Sequence, residues 1–222
     1  MKFKGEKLAR AEIIRVMRIV TDQGMVRSND GNFSIRLDED HFLMTPSGVY
    51  KMTMEPEDLI IVDWQSQVVK GQAGLKPTSE CLMHLEAYRQ RKDISAVLHA
   101  HPVYATALTI AGEPFPMDII PEAAIGLGSV PVAEYATPGT QALADSIRGP
   151  ITQSKAILLS HHGSLTVGAT LEEALIALER MEHAAHSYFV ARSFGKVVRL
   201  SADEVQRLQA IGRPLRGETL QE

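Results

Sequence analysis

Along this chain the spacing of apolar residues switches repeatedly between helical and strand periods. From residue 7 to 23, Leu8, Ile13, Ile14, Met17 and Ile19 fall on or near one helical face, and Gly24 is placed to end the helix. Ser28-Asn29-Asp30-Gly31 is a polar turn. Strand spacing follows over residues 32–37 and 41–44, the second run leading into the turn Thr45-Pro46-Ser47-Gly48. Residues 58–64 and 67–70 pattern as a hairpin. Thr78 or Ser79 is placed to cap a helix running to about Arg91, and a strand over 97–101 and a helix over 103–111 come next. Residues 131–133 predict a short strand, 140–147 a short helix and 156–161 another strand. A long helix over 171–194 and a last one over 202–211 complete the pattern. Strands and helices interleave with no repeat and no low-complexity linker. That predicts one α/β layered domain over 1–222, with the polar tail, 213–222, flexible.

Composition narrows the function classes. A chain of 222 residues suffices for one well-buried domain. With 23% charged residues and a formal net charge of −4, it has no basic excess to hold nucleic acid. A single cysteine, Cys81, rules out an internal disulfide, fits a reducing compartment, and reads as a small buried residue rather than a nucleophile. The basic start, Met1-Lys2-Phe3-Lys4-Gly5, leads into an amphipathic helix carrying Glu6, Arg10, Glu12 and Arg15, not an apolar core. This pattern excludes a signal peptide, no apolar run reaches membrane-spanning length, and a cytoplasmic location is expected.

The densest chemistry lies in Leu98-His99-Ala100-His101-Pro102. On a strand the side-chain period is two, so His99 and His101 share a face and offer two imidazoles, half of a metal site. His161 and His162 follow a second apolar run, 156–159, but adjacent residues face opposite ways, so at most one joins the site. Alone, a His-x-His pair is more often packed and hydrogen-bonded than metal-bound; the second histidine-bearing strand and its glycine turn raise the metal reading. With a carboxylate added, three nitrogens and one oxygen suit zinc, with manganese or cobalt as alternatives.

Glu80 falls in the first turn of its helix, where the dipole stabilises a carboxylate; on position alone a capping role is the plainer reading. Thr78 and Ser79 offer hydroxyls and amides suited to phosphate, or simply an N-cap. Gly31-Asn32 and Ser47-Gly48 are further turns with small polar side chains and exposed amides, which each by itself means only a turn. His84, one helical turn after Glu80, supports Glu80 or merely packs, packing being favoured. His183 and His186 share a face of the long helix and read as core or interface residues. Glu122, alone in the aliphatic stretch 119–125, is a salt-bridge partner or a site residue.

Six motifs occur in order: Gly-Asn-Phe-Ser from Gly31, Thr-Pro-Ser-Gly from Thr45, Pro-Thr-Ser-Glu from Pro77, His-Ala-His-Pro from His99, Glu-Tyr-Ala-Thr-Pro-Gly-Thr from Glu134, and His-His-Gly-Ser-Leu-Thr-Val-Gly from His161. Together they resemble the class II aldolase/adducin family from the first helix to the long helix near Phe194. The resemblance implies a central, mostly antiparallel sheet with helices packed against it, commonly in a fourfold homotetramer with sites near subunit interfaces. It implies metal ligands Glu80, His99, His101 and His162, and a phosphate pocket of Asn32, Ser47, Gly48, Thr78 and Ser79. The implied activity is metal-dependent cleavage of a ketose 1-phosphate to dihydroxyacetone phosphate and an aldehyde, with Glu80 moving protons. The same scaffold hosts a pentulose-phosphate 4-epimerase, a sugar-acid phosphate decarboxylase, a dehydratase and non-catalytic adducin-like binding modules. Members acting on fuculose 1-phosphate use a tyrosine before the stretch matching Pro131 and another near the C terminus; rough alignment puts Ile120 and Ile211 there. Ile120 and Glu122 are therefore candidate specificity residues, and the resemblance points towards 5-deoxypentulose or methylthioribulose 1-phosphates.

Overall fold

The computed structural model describes residues 5–217. The first helix, α1 (Glu6–Asp22), buries Ile13, Ile14, Val16, Met17 and Val20. Strands β1 (Asn32–Arg36), β2 (Phe42–Met44), β3 (Ile60–Val62) and β4 (Val68–Lys70) form an antiparallel meander, with β3 and β4 the predicted hairpin. Helix α2 (Cys81–Gln90), strand β5 (Ala96–Ala100) and helix α3 (Val103–Ile110) follow. Then come α4 (Pro121–Leu127), β6 (Val132–Ala133), α5 (Gln141–Ser146), α6 (Arg148–Gln153), β7 (Ala156–Leu159) and β8 (Gly163–Gly168). The long helix α7 (Leu171–Ser193) and α8 (Ala202–Gly212) close the order.

All eight strands share one sheet, ordered β4-β3-β2-β1-β5-β8-β7-β6, in which only β6 and β7 pair in parallel. The expected mostly antiparallel sheet is therefore observed. Period-two alternation sends Phe33, Leu98 and Leu158 to one face, packed under α1, α3, α4 and α7. Phe42, Val97, Ile157 and Leu165 go to the other, packed under α2, α5 and α6. The site lies on the α2 side, at the ends of β1 and β5.

One strand and two α-helices of the described residues were not anticipated. Strand β8 has glycines at both ends and reads as a turn, yet all six residues are buried because it lies between β5 and β7. Helix α4 occupies the aliphatic stretch around Glu122, started by Pro121 at a position where its missing N–H costs nothing. Helix α6, adjoining α5, buries Ile151. Within the tail expected to be flexible, Arg216 is buried and donates to the carbonyls of Ala124, Ile125 and Gln209. The remainder of that expected tail, 218–222, and the basic residues 1–4 lie outside the described residues. No helix among the described residues is long and apolar enough to cross a membrane.

Candidate active site

His99 is the penultimate residue of the fully buried central strand β5, and its Nδ1 lies 2.8 Å from the backbone carbonyl of Ser164 on β8. A carbonyl only accepts, so Nδ1 carries a proton and Nε2 is turned inwards. His101 follows just past the strand end, with Nε2 2.9 Å from Nε2 of His99. His162 comes from the β7–β8 turn, and its ring centroid is 4.7 Å from that of His99 and 5.2 Å from that of His101. The strand thus ends before the histidine pair: the two differ because His161 takes a left-handed φ of 54°, its amide donating to Thr109 Oγ1, while His162 turns inwards. Gly163 permits the close approach, since a Cβ there would lie 2.5 Å from the Ala100 carbonyl and 2.7 Å from His101 Cδ2.

Glu80 completes the cluster. Helix α2 starts at Cys81, so Glu80 is the N-cap residue rather than part of the first turn, and its side chain makes no capping bond. Its carboxylate turns to the histidines instead, with Oε2 3.0 Å from His99 Nε2 and Oε1 3.3 Å from His162 Nε2. The capping role expected of Thr78 or Ser79 is also corrected: Thr78 Oγ1 receives only the Glu80 amide, at 3.4 Å.

Burial by itself would push the Glu80 carboxyl up. The charge and hydrogen bond of His99, the amide of Asn32 and the charge of His162 outweigh it and hold the group well below the usual carboxylate range. Burial works against a charge on His99 too, but the Glu80 carboxylate and the Ser164 carbonyl raise its pKa. Burial, then the charges of its two histidine neighbours, pushes His101 down to about 3. His162 is lowered by burial and by His99. The cluster thus concentrates ring nitrogens and one carboxylate around a point that attracts positive charge.

The ligand nitrogens of His99, His101 and His162 lie within 4.8 Å of one another and form a group that can hold a metal ion. Two imidazole Nε2 atoms at 2.9 Å repel unless a proton or a cation sits between them. Glu80 Oε1 is buried and without a hydrogen bond. Three nitrogens beside such a carboxylate oxygen fit a divalent cation of the zinc type.

The phosphate-type turns come together. Asn32, Ser47, Gly48, Thr78 and Ser79 line one cavity of about 370 Å3 with Glu80, His101 and His162. The Ser47 amide donates to the Lys76 carbonyl at 2.9 Å, which joins two of the turns and corrects the expectation that this amide is exposed. Sequence reasoning missed Lys51, which lines the cavity although its side chain is only 2% exposed. Its Nζ donates to the carbonyls of Asn29 at 3.0 Å and Val49 at 3.4 Å, tying the first turn to the second. Burial pushes the Lys51 amine down to about 8, against the opposing charge of Asp30. A lysine three residues past a Ser-Gly turn was the available signal.

Other expectations fare differently. Ile120 and Glu122 do not line this cavity; Ile120 packs against the core beneath α4, and Glu122 is exposed. Ile211 is 56% exposed. His183 and His186 are not core residues: both are exposed, with His186 stacked on Tyr104 at 3.9 Å. Cys81 is buried, as expected. His84 is fully buried and reaches Glu80 through Asn32, so the packed and supporting readings both apply.

Known proteins share this arrangement of sequence and fold. The chain is 34% identical over 198 residues to L-fuculose phosphate aldolase of Escherichia coli, covering 89% of this chain and 90% of that one. It is 31% identical over 205 residues to 5-methylthioribulose-1-phosphate/5-deoxyribulose-1-phosphate aldolase of Rhodospirillum rubrum, covering 92% and 91%. A solved structure of L-fuculose 1-phosphate aldolase superposes with a TM-score of 0.82 at 32% identity, over 91% of this chain and 94% of that one. Residues 11–189 match the family described as Class II Aldolase and Adducin N-terminal domain, and the chain belongs to the class II aldolase and adducin family.

Proposed function

We propose that the protein is a metal-dependent aldolase that cleaves a ketose 1-phosphate of the deoxypentulose class to dihydroxyacetone phosphate and an aldehyde. The observation that carries this reading is the single cavity joining the histidine–glutamate cluster to the three polar turns. His99, His101, His162 and Glu80 would hold zinc, with manganese or cobalt as substitutes. When bound, the cation supplies Lewis-acid stabilisation of the negative charge that develops on the substrate's oxygens. Cleavage of the C3–C4 bond takes the proton from the C4 hydroxyl and leaves the bonding pair on C3, delocalised as an enediolate. Glu80 is the carboxylate that would accept this proton and deliver it to C3, so that dihydroxyacetone phosphate and the aldehyde account for every atom. Asn32, Ser47, Gly48, Thr78 and Ser79 hold the phosphate, and Lys51 adds positive charge at that end. Fixing the non-reacting end sets the orientation of the reacting bond.

Ile120 and Glu122 lie outside the cavity of a single chain, so they meet the aldehyde end only where a neighbouring copy in the homotetramer brings them to it, Ile120 then standing where fuculose-cleaving members use tyrosine. A homotetramer and a cytoplasmic location belong to the same reading, the first checked by sedimentation of the purified chain. The deciding experiment incubates metal-loaded protein with a panel of ketose 1-phosphates and assays dihydroxyacetone phosphate. Release from 5-deoxyribulose 1-phosphate but not from fuculose 1-phosphate is expected. No release from any of them, with metal bound, would replace the aldolase with an epimerase or decarboxylase. Protein that stays metal-free when purified without chelator would favour a binding module.

A further inference from the structure

Behind the cavity wall a file of buried polar groups runs away from Glu80 between β1 and α2. Asn32 Nδ2 donates to Glu80 Oε2 at 2.8 Å, and Asn32 Oδ1 lies 2.6 Å from His84 Nε2. His84 Nδ1 is 2.7 Å from Ser34 Oγ, which is 2.8 Å from the Tyr88 hydroxyl. His84, Ser34 and Tyr88 are fully buried, and none of them lines the cavity. Matched periods build the file. Asn32 and Ser34 are two apart on a strand, about 6.8 Å. Glu80, His84 and Tyr88 are four apart on or next to a helix, about 6 Å per step. The two elements therefore present their polar residues side by side.

The direction of every bond follows from the end next to Glu80. A carboxylate oxygen only accepts, so Asn32 must turn its amide nitrogen to Glu80 and its oxygen to His84. An amide oxygen only accepts, so His84 Nε2 carries the proton. Burial, then the charge of His99, pushes the His84 ring down to about 3, so it is neutral and Nδ1 accepts. Ser34 then donates to His84, and Tyr88 to Ser34; burial raises the Tyr88 phenol, which keeps its proton. Reversing any one member would set two acceptors or two donors against each other at under 3 Å.

We infer that Tyr88, Ser34 and His84 are positioning residues: a one-way donor chain that fixes His84 as the Nε2–H tautomer, sets the amide of Asn32 and aims the Glu80 carboxylate. The effect on turnover rests on the reading of Glu80 as proton carrier; the tautomer does not.

Long-range nitrogen-15 NMR of the histidine rings in the zinc-loaded full chain tests the chain directly. The expected His84 signature is a protonated Nε2 and a bare Nδ1. A protonated Nδ1, as the other tautomer or an imidazolium, overturns the inference. His84→Phe should keep its zinc and its KM within about twofold while kcat falls about 10–100-fold, the scale for groups that orient ligands. Tyr88→Phe keeps the ring stacked on Phe42 at 4.9 Å and should lower kcat about fivefold, roughly one ordinary hydrogen bond. If His84→Phe does not fold, Tyr88→Phe decides alone. Unchanged kcat in the variants overturns the positioning role. If the wild-type chain cleaves no ketose 1-phosphate, the proposed activity fails and the His84 tautomer still decides the chain.

Discussion

The two ends of the cavity are made of different material. At the histidine end the working groups are side chains, and two of them are locked by a second bond. His99 is held by the Ser164 carbonyl and Glu80 by the Asn32 amide. At the opposite end the walls are three turns stitched together by main-chain bonds, with the Ser47 amide on the Lys76 carbonyl and the Lys51 amide on the Ser28 carbonyl. A site made of side chains is destroyed by removing one. A site made of turns spreads its work over many weak contributions. Substitutions should therefore be far costlier at the first end than at the second.

The largest effect is expected from His101→Ala. His101 lies past the end of β5 and is only partly buried, so the fold should survive while metal content and turnover are both lost. Retention of stoichiometric zinc, measured by elemental analysis, would remove His101 from the ligand set. Glu80→Gln comes next. The amide keeps the shape and most of the metal, and the loss of the proton carrier should lower kcat by about 10²–10⁴-fold. Full activity in that variant would rule out Glu80 as the base.

Gly163→Ala probes the same end through the backbone. The added Cβ would meet the Ala100 carbonyl and the His101 ring, and only the ring can move. Displacing a ligand without deleting it should weaken zinc binding about 10–100-fold, read by competition with a chelator. Unchanged affinity would mean that the turn yields elsewhere and that His101 is less tightly placed than its contacts imply.

The same contrast explains what was legible in the sequence. The histidine end announces itself through residue identity: a His-x-His pair after Val97 and Leu98 has a fixed geometry on a strand, so His99 and His101 could be paired before any fold was known. Ser47-Gly48 and Thr78-Ser79 look like any turn, because what matters there is where the backbone goes. Only the bridge between Pro46 and Pro77, set by long-range packing, brings them together. Glu80 shows both limits. Its place at a helix start was legible, but its orientation depends on Asn32, 48 residues earlier and brought alongside by the register of β1 with β5. The sheet was legible in outline for a similar reason. Alternation marks β1 and short apolar runs mark β2 and β5, whereas β8, bounded by glycines, becomes a strand through its neighbours on both sides.

The smallest and most diagnostic effect concerns Lys51, because it tests whether the turn end depends on charge at all. Its amine is buried, with a pKa of about 8 in the folded chain against 10.5 for a free lysine. Below about 8 both folded and unfolded chains carry the charge, and the fold bears the full cost of burying it. Between about 8 and 10.5 the folded chain sheds the proton first, so stability rises with pH. Anion binding should run the opposite way, since the charge that attracts phosphate disappears over the same range. A phosphate monoester is already a dianion there, its second pKa being about 6. Glu80, His101 and His162 face the same cavity with pKa values shifted down, below this window, and the Asp30 carboxylate opposes the loss of the lysine proton. In zinc-saturated protein, affinity for glycerol phosphate, a monoester, measured by calorimetry should fall severalfold between pH 7 and 9.5. Lys51→Met should bind it weakly at pH 7 and show a flatter profile. Parallel profiles for the two proteins would mean that Lys51 only ties the turns together through the Asn29 and Val49 carbonyls, and that hydroxyls and amides alone hold the anion.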